Sequence, residues 1–227
     1  MQVTVLGSGS AQPTHRRASA GYLVEWQGGA LLLDAAAGTY MRALGAGLDP
    51  WRLRALVLSH LHPDHTADLP ALLWARRQTP GLTEPLEIVG PPGTAELLER
   101  VQALYGSWLA VPRDVSPFPW ELRGLLVQAF PARHSAEAVC LRLVADGKAL
   151  AYSGDTGDCE GLRAACRQAD LALIECTTMD AQEGHMTPAD CEAVVAATRP
   201  ERVFLTHLGP DVTATLPLAE DGFAISL

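Results

Sequence analysis

Lysine is almost absent from this chain of 227 residues: Lys148 is the only one, and all the other basic side chains that carry a full charge are arginines. Acidic residues outnumber basic ones, so the formal net charge is −9. A protein that coats nucleic acid needs a basic stripe that displaces counterions, and this balance disfavours that class. A local patch of arginines stays open, because the planar guanidinium suits phosphate.

The sequence also lacks a long apolar run, and its first residues lead us to expect no secretory leader. No segment approaches the ~20 apolar residues that span a bilayer. The first residues enter a strand-like run without the basic start and small-residue cleavage site of a signal peptide. We therefore expect a cytoplasmic protein with no membrane partner.

The chain has few cysteines, and their spacing matches no known paired motif. The chain has five, an odd number, with no Cys-x-x-Cys spacing. This set disfavours both a disulfide framework and a cysteine zinc knuckle. We expect reduced thiols at Cys140, Cys159, Cys166, Cys176 and Cys191.

Strand-like and helical periodicities alternate along the chain. Strands are predicted at 3–6, 22–26, 30–34, 54–58, 86–89, 125–130, 138–144, 149–152, 171–175 and 202–206. Helices are predicted at 39–48, 67–77, 94–105, 162–168 and 188–198, and the proline-rich segment 106–120 is predicted to be irregular. Strand meanders in each half, interleaved with helices, indicate an α/β protein with two packed sheets and helices outside, an αββα sandwich. We expect one domain over residues 1–227.

The most informative segment places three histidines and an aspartate within six residues: His60, His62, Asp64 and His65. An extended backbone after the preceding strand would put His60 and His62 on one side, with Asp64 and His65 starting the next helix. Buried without a metal, each of these groups would need its own polar partner. The donor set suits zinc, and also manganese or iron. The sequence therefore predicts a metal site here.

The pattern His-x-His-x-Asp-His resembles the signature of the metallo-β-lactamase superfamily. The likeness extends over the opening Gly7–Ser10 turn, the strand ending in Leu33-Asp34, an isolated His134, Ser153–Thr156 and Thr206-His207. It implies a four-layer αββα metallo-β-lactamase sandwich and two divalent metal ions, zinc or manganese. By position, His60, His62 and His134 would bind the first metal, Asp64, His65 and His207 the second, and Asp155 would bridge them.

Two further residues indicate a branch of the superfamily. Glu175 and His185 resemble parts of the His-Glu-Ala-Thr and His-Ser-Thr motifs of RNase Z and its phosphodiesterase relatives, although Ile174, Cys176 and Met186 depart from those motifs. An alkoxide leaving group needs a proton, and a histidine oriented by a carboxylate is the usual donor. The resemblance implies that His185, Glu175 and Asp64 are catalytic.

The favoured function is a phosphodiesterase that uses a bridging hydroxide on a small phosphodiester such as a cyclic nucleotide. An RNase Z-like tRNA 3′-processing endoribonuclease is the alternative, weakened because such enzymes carry an arm between the third metal motif and the Gly-Asp-Thr strand. A lactonase or thiolesterase of the same fold is a second alternative. A di-iron redox protein is disfavoured, because that branch has a glutamate where His62 stands. So is a non-catalytic binding module, since every expected ligand is present.

Several residues outside the metal motifs are candidates for contacts with a substrate. Backbone N–H groups of Ser8, Gly9 and Ser10 would cradle a phosphate, or the glycine would merely form a tight turn. Arg17 is a further candidate for phosphate, whereas His15 is expected to be a solvated loop residue. Trp74 suggests a base-stacking edge or an oligomer contact, against the simpler prediction of a helix that buries its leucines. RNA binding and a homodimer are left open.

Overall fold

The computed structural model describes residues 1–227, whose strands form two sheets. The first sheet contains β1 (Gln2–Gly7), β2 (Gly21–Trp26), β3 (Gly29–Leu33), β4 (Leu53–Val57), β5 (Leu86–Val89), β6 (Arg113–Ser116) and β13 (Ala224–Ser226), in the order β13-β1-β2-β3-β4-β5-β6. The second contains β7 (Trp120–Leu122), β8 (Leu125–Pro131), β9 (Val139–Ala145), β10 (Lys148–Tyr152), β11 (Leu171–Glu175) and β12 (Arg202–Thr206), in the order β12-β11-β10-β9-β8-β7.

The chain has six helices, and all of them except the one-turn helix Pro63–Thr66 pack on the outer faces of these sheets. They are α1 (Thr39–Gly45), α2 (Pro63–Thr66), α3 (Leu69–Gln78), α4 (Thr94–Tyr105), α5 (Glu160–Cys166) and α6 (Pro188–Thr198). A cluster of 23 buried residues lies between the two sheets. A second cluster joins the first sheet to α1, α3 and α4, and a third joins the second sheet to α5 and α6. The predicted four-layer αββα sandwich is therefore confirmed.

Strand β3 shows why the sequence folds into layers. All of its residues are buried, because helices cover one face of the sheet and the second sheet covers the other. Leu31 and Leu33 face the cluster between the sheets, and Leu32 faces the helices, as the period of two requires. Each fully buried leucine contributes about 1.5–3 kcal/mol relative to an exposed one.

Two predictions of local structure are wrong. The segment 106–120 is not wholly irregular: a 3-10 turn at Gly106–Leu109 precedes β6, and β7 begins at Trp120. The short β13 was not predicted at all, although it pairs with β1 through Gln2↔Ser226. The strands β6, β7 and β13 are edge strands of three or four residues, whose pairing comes from distant partners rather than from local periodicity. The helix predicted at 67–77 begins later, at Leu69, after the separate one-turn helix α2.

The site depends on the directions of the strands. Strands β3 to β6 run parallel, as do β10, β11 and β12. Strand β8 runs in the same direction as β10, because both are antiparallel to β9. Strands with a common direction end at the same edge of a sheet, and there the ends of β4, β8, β10, β11 and β12 and the loops after them carry the predicted ligands and catalytic residues. None of the helices is long and apolar enough to cross a membrane.

Candidate metal centre

The seven predicted ligand residues lie together at this edge. The residues of this edge form four overlapping groups of donor atoms, and within each group the atoms lie within 4.8 Å of one another. Two of these groups contain only predicted ligands, and the other two include His185. The first group comprises His60, His62 and His134, and the second comprises Asp64, His65, Asp155 and His207. These are the two sets predicted from the sequence, with Asp155 placed in the second.

Asp155 reaches both groups through its two carboxylate oxygens. Its Oδ2 lies 3.8 Å from His60 Nε2 and 4.0 Å from His134 Nε2. Its Oδ1 lies 3.3 Å from the Nε2 atoms of both His65 and His207. One oxygen thus faces each group, which is the arrangement a bridging carboxylate needs.

Hydrogen bonds on the far side of the rings orient four of the histidines. His65 Nδ1 lies 2.7 Å from Asp34 Oδ2, and His207 Nδ1 lies 2.8 Å from Thr177 Oγ1. His134 Nδ1 lies 3.1 Å from the carbonyl oxygen of Gly184, and His60 Nδ1 lies 3.0 Å from Ser59 Oγ. The carboxylate and the carbonyl accept a proton from Nδ1, and the two hydroxyl groups are placed to do the same. Each Nε2 is then unprotonated and faces the cluster.

Three buried polar atoms of the cluster have no hydrogen-bond partner: His60 Nε2, His65 Nε2 and Asp155 Oδ1. Buried polar atoms are rarely left without a partner, and a cation between them would satisfy all three. The donor set of imidazole nitrogens and carboxylate oxygens suits divalent zinc or manganese. The residues present therefore fit a divalent metal centre.

The electrostatics favour the ligand forms of His60, Asp155 and Asp64. Burial lowers the pKa of His60 to about 3, and the neighbouring His65 adds to the shift. Burial opposes ionisation of Asp155, but His207 and His65 outweigh it and hold the pKa of this carboxyl well below its usual range. The same holds for Asp64, where burial acts against the hydrogen bonds with His207 and His65 that lower its pKa. Metal binding needs deprotonated carboxylates and neutral imidazoles, and these three groups favour those forms. At His65, burial is outweighed by Asp155 and Asp34, which raise its pKa well above the usual range, so a metal bound there would have to displace the His65 proton.

Glu175 and His185 lie beside the cluster. His185 Nδ1 lies 2.8 Å from Glu175 Oε1. The centroid of the His185 ring lies 5.0 Å from the ring centroid of His134 and 6.1 Å from that of His207. The hydrogen bond with Glu175 raises the pKa of His185, while burial acts the other way. His185 therefore has its proton-bearing Nδ1 fixed on Glu175 and its Nε2 directed away from that carboxylate.

Glu175 is fully buried and accepts hydrogen bonds from five donors. Besides His185, these are the backbone N–H groups of Thr156, Thr177 and Met186 and the hydroxyl of Thr177. Such a carboxylate has one orientation, which fixes the ring of His185 and the loop after β11.

The backbone around the cluster adopts sparsely populated conformations. Asp34 and His207 have φ angles of 55° and 49°, in the left-handed region that residues with a Cβ rarely adopt. Gly184 has a φ of 79°, and a Cβ there would lie 2.9 Å from His134 Nδ1. The close approach of this loop to His134 therefore needs glycine.

The predicted phosphate cradle is corrected by the structure. Ser8 donates its N–H and its hydroxyl to Asp221 Oδ1, at 2.9 and 2.8 Å. The N–H of Gly9 donates to Ala18, and that of Ser10 donates to Leu208. No backbone donor of this segment is left for a phosphate, so the alternative prediction, a turn that serves the fold, describes it.

Of the remaining candidates, only Arg17 is engaged by the fold. Arg17 donates to Ser8 Oγ at 2.6 Å and to the carbonyl oxygen of Ala219, so it braces the same turn. His15 is exposed, as expected of a solvated loop residue. The helix that carries Trp74 buries Leu72 and Leu73, and Trp74 itself is 39% exposed. A homodimer or a stacking role for this tryptophan stays a prediction.

Sequence reasoning missed the residues that orient the cluster. Asp34 was noted only as the end of a strand, yet it is fully buried and accepts hydrogen bonds from His65, Ser59 and Tyr152. Thr177, two residues after Glu175, received no role from the sequence, yet its hydroxyl lies 2.8 Å from His207 Nδ1. The one available signal was a carboxylate directly after a continuous apolar strand, since a buried charge needs several partners.

A family model described as the beta-lactamase superfamily domain matches residues 30–208. A ribonuclease Z from Mycobacterium sp. (strain KMS) is 35% identical over 183 residues, covering 72% of this chain and 64% of that relative. The chain thus spans less than two thirds of that relative's length.

Solved structures are similar over the whole fold. The short form of human tRNase Z superposes with a TM-score of 0.86 at 26% identity, covering 100% of this chain and 99% of that one. A diphosphatase of the PhnP family superposes with a TM-score of 0.78 at 20% identity, covering 100% of this chain and 97% of that one.

The chain therefore belongs to the β-lactamase superfamily. Within that superfamily its relatives place it in the RNase Z-like branch.

Proposed function

We propose that this chain is a phosphodiesterase that acts on a small phosphodiester, such as a cyclic nucleotide, with two divalent ions held by the histidine and aspartate cluster. Zinc is the favoured metal, and manganese fits the same donors. The observation that carries the proposal is the Glu175–His185 pair, joined at 2.8 Å beside the two ligand groups.

The ligand groups define where a phosphodiester would be held. His60, His62 and His134 would hold one ion, and Asp64, His65 and His207 the other, with Asp155 shared between them. When bound, two such ions lower the pKa of a water and stabilise the charge on the attacking and leaving oxygens of a phosphoryl group. Asp155 keeps the two groups at a fixed separation, because each of its oxygens faces one of them.

Proton transfer to the leaving oxygen is assigned to His185. Its Nδ1 is engaged by Glu175, so Nε2 is the atom that would protonate the alkoxide. Glu175 favours the protonated ring, which is the form that a general acid needs. Asp64, 18% exposed, lies at the open side of the second ligand group, with its Oδ2 3.3 Å from His207 Nε2. It would contribute there as a ligand in contact with the reacting water.

The loops around the cluster favour a small substrate. The stretch between His134 and Asp155 is filled by the hairpin of β9 and β10, joined at Asp146-Gly147. This is the stretch where the resemblance to RNase Z leads one to expect a substrate-gripping arm. With a net charge of −9, the chain also offers little long-range attraction for a polyanion.

RNA 3′ processing is the second candidate, favoured by the relatives. The Mycobacterium relative is named a ribonuclease Z, and the human neighbour a tRNase Z. Both reactions cleave a phosphodiester, so the same cluster and the same His185 would serve either substrate. The two substrates differ in the binding energy that contacts away from the cleaved bond must supply. A tRNA needs such contacts, and the short β9–β10 hairpin offers little surface for them.

A substrate panel tests the reaction class. We expect the metal-loaded protein to hydrolyse bis(p-nitrophenyl) phosphate and 2′,3′- or 3′,5′-cyclic nucleotides, and Asp155→Ala to be inactive. Nitrocefin, a homoserine lactone and S-lactoylglutathione cover the lactamase, lactonase and thiolesterase reactions of the fold. Turnover of one of these without turnover of any phosphodiester would refute the assignment.

A second comparison separates the two phosphodiester substrates. The values of kcat/KM for cyclic nucleotides and for a precursor tRNA are measured on the same preparation. The small-substrate proposal requires the cyclic nucleotides to be cleaved at least as efficiently as the tRNA. A strong preference for the tRNA would replace it with the ribonuclease function.

A further inference from the structure

A cavity of about 480 Å³ lies between the two sheets, at the edge that carries the candidate metal centre. Its walls come from the loop between β5 and α4, from β6 and the residues after it, from the end of β8 and from the first residue of β9. Strands β4, β5 and β6 run parallel, so the cavity lies beside the loop after β4, which bears His60 and His62. The end of β8 forms another part of the wall and leads to His134. In open α/β sheets, ligands bind outside the carboxyl ends of the strands.

The lining of this cavity contacts the segment that bears the first ligand group. Val139, in the wall, donates its N–H to the carbonyl oxygen of Ser59 at 3.0 Å. Gly93, also in the wall, approaches Leu61 so closely that a Cβ at position 93 would lie 3.0 Å from Leu61 Cδ1. Ser59 and Leu61 flank the proposed ligand His60 in the chain. A substrate whose phosphoryl group is held by this ligand group therefore has the cavity beside it.

The lining is uncharged and largely apolar. It consists of glycine, proline, alanine, valine, threonine and serine residues and one aromatic residue, Phe118. Phe118 packs against the cluster between the two sheets and is only partly buried, so part of its side chain is left to contact a ligand. No acidic or basic side chain lines the cavity. A charged group of a substrate would lose its hydration here without gaining a partner, which favours a neutral occupant.

One polar group of the wall is free to bind a ligand. The N–H of Ala95, in the first turn of α4, has no hydrogen-bond partner within the chain, because this helix begins without a side-chain cap. The hydroxyls of Thr94 and Ser116 are already engaged, with Pro91 and Glu87. An apolar cavity with one aromatic ring and one free donor fits a neutral heterocycle that accepts a hydrogen bond. Nucleobases have this chemistry.

We propose that this cavity binds the nucleobase of the substrate and that Phe118 is a specificity-determining residue. The inference rests on the proposed phosphodiesterase function and narrows its substrates to phosphodiesters of nucleosides. With the phosphoryl group at the ligand groups, the base enters the cavity, contacts the ring of Phe118 and accepts the N–H of Ala95. The volume lies within the range of about 300–1,000 Å³ typical of small-molecule sites. Contact of a base with an aromatic ring corresponds to about a 5- to 150-fold gain in binding.

Truncation of the substrate tests the role of the base. The values of kcat/KM are measured on the metal-loaded protein for adenosine 2′,3′-cyclic phosphate and for methyl ribofuranoside 2,3-cyclic phosphate, which has the same reacting group without a base. We expect a preference of about 5-fold or more for the nucleotide, through a lower KM, because the base is bound equally in the ground state and the transition state. Phe118→Leu, which removes the ring but keeps an apolar side chain, should abolish most of this preference and leave the ribofuranoside unchanged. The matched control is Phe223→Leu, an exposed phenylalanine beside β13 at the opposite edge of the first sheet, which should behave as the wild type.

Photolabelling of the wild type locates the base without relying on turnover or on any variant. Trypsin places most of the lining in peptides 78–100 and 114–123, and the rest in 124–133 and 134–142. After irradiation with 8-azidoadenosine 2′,3′-cyclic phosphate, we expect label in 78–100 and 114–123, and its loss when adenosine 2′,3′-cyclic phosphate competes.

The two measurements separate a failure of this inference from a failure of the proposed function. Hydrolysis of cyclic nucleotides with the label outside these four peptides, or with an unchanged preference in Phe118→Leu, would overturn the base site and leave the phosphodiesterase function standing. Label in the lining peptides without hydrolysis of any phosphodiester would refute the function and keep the cavity as a nucleotide-binding site. Neither specific label nor hydrolysis would refute both.

Discussion

Asp34 Oδ2 lies 2.7 Å from Nδ1 of His65, a residue 31 positions further along the chain, and both side chains are fully buried. The same carboxylate accepts the N–H and the hydroxyl of Ser59 and the hydroxyl of Tyr152. Through Ser59, whose Oγ contacts His60, Asp34 reaches one histidine of each ligand group. A single buried carboxylate thus orients both halves of the proposed metal centre.

Replacing Asp34 should weaken metal binding. In Asp34→Asn the shape is kept, but the charge that holds the His65 proton on Nδ1 is lost. Loss of an outer-shell partner of this kind typically costs 10–100-fold in affinity, and we expect about that decrease for the second ligand group. Competition with a chromophoric chelator measures it. The control is Asp49→Asn, an exposed residue that only caps a 3-10 turn, and equal affinities in the two variants would contradict a positioning role.

Metal content should follow the ligand groups. We expect close to two zinc or manganese equivalents per chain, and about one equivalent in His65→Ala, which removes one imidazole from the second group. Elemental analysis of protein purified without added metal provides the count. His15→Ala, which removes an exposed histidine, should keep both equivalents. Fewer than one equivalent in the wild type, not restored by Zn²⁺ or Mn²⁺, would rule out the two-metal centre.

Thr177 should matter more than its neighbour Thr178. Thr177 Oγ1 lies 2.8 Å from both Glu175 Oε2 and His207 Nδ1, so it joins the proposed acid pair to a proposed ligand. Thr177→Val should lower metal affinity about 10-fold or more, because His207 loses the partner that fixes its tautomer. Thr178→Val, whose hydroxyl bonds only within its own loop, should bind metal as the wild type does. Similar affinities would assign Thr177 a packing role alone.

The decrease in kcat on removal of His185 should depend on the leaving group of the substrate. If His185 protonates the leaving oxygen, His185→Ala should lower kcat by about 10² to 10⁴ on cyclic nucleotides, whose alkoxide is a poor leaving group. The decrease on bis(p-nitrophenyl) phosphate should be much smaller, because p-nitrophenolate leaves without a proton. His15→Ala controls for the loss of an imidazole. Equal decreases on both substrates would make His185 a structural residue.

The hydroxyl of Tyr152 should stabilise the fold. It donates to Asp34 Oδ2 at 2.6 Å in a fully buried position. Tyr152→Phe leaves the carboxylate one donor short, and a lost partner of a buried polar group costs about 1–3 kcal/mol of unfolding free energy. Urea unfolding of the metal-free protein measures the change. Tyr105→Phe, on the exposed side of α4, should leave the midpoint unchanged, and a matching shift in both variants would contradict this account.

The long elements of the fold follow from the sequence, because their periodicity is local. Predicted helices at 94–105 and 188–198 and strands at 86–89, 171–175 and 202–206 agree residue for residue with α4, α6, β5, β11 and β12. Glycine or proline flanks α4 and β5 on both sides, and α6 begins after the capping Thr187. Edge strands β6, β7 and β13 were missed, since their pairing depends on residues far away in the chain.

The sequence by itself determined the chemistry: histidines and aspartates at metal-ligand spacing, and Glu175 with His185 between the last ligands. Only the tertiary structure decided which groups orient them. Asp34 and Thr177 act through hydrogen bonds to residues about 30 positions away, and such contacts leave no periodic trace in the sequence. It also decided that the opening turn of Ser8 is closed by Asp221, from the other end of the chain. The proposed metal ligands can be recognised from short local motifs. The residues that hydrogen-bond to them come into contact only when strands that are distant in the chain end at the same edge of a sheet.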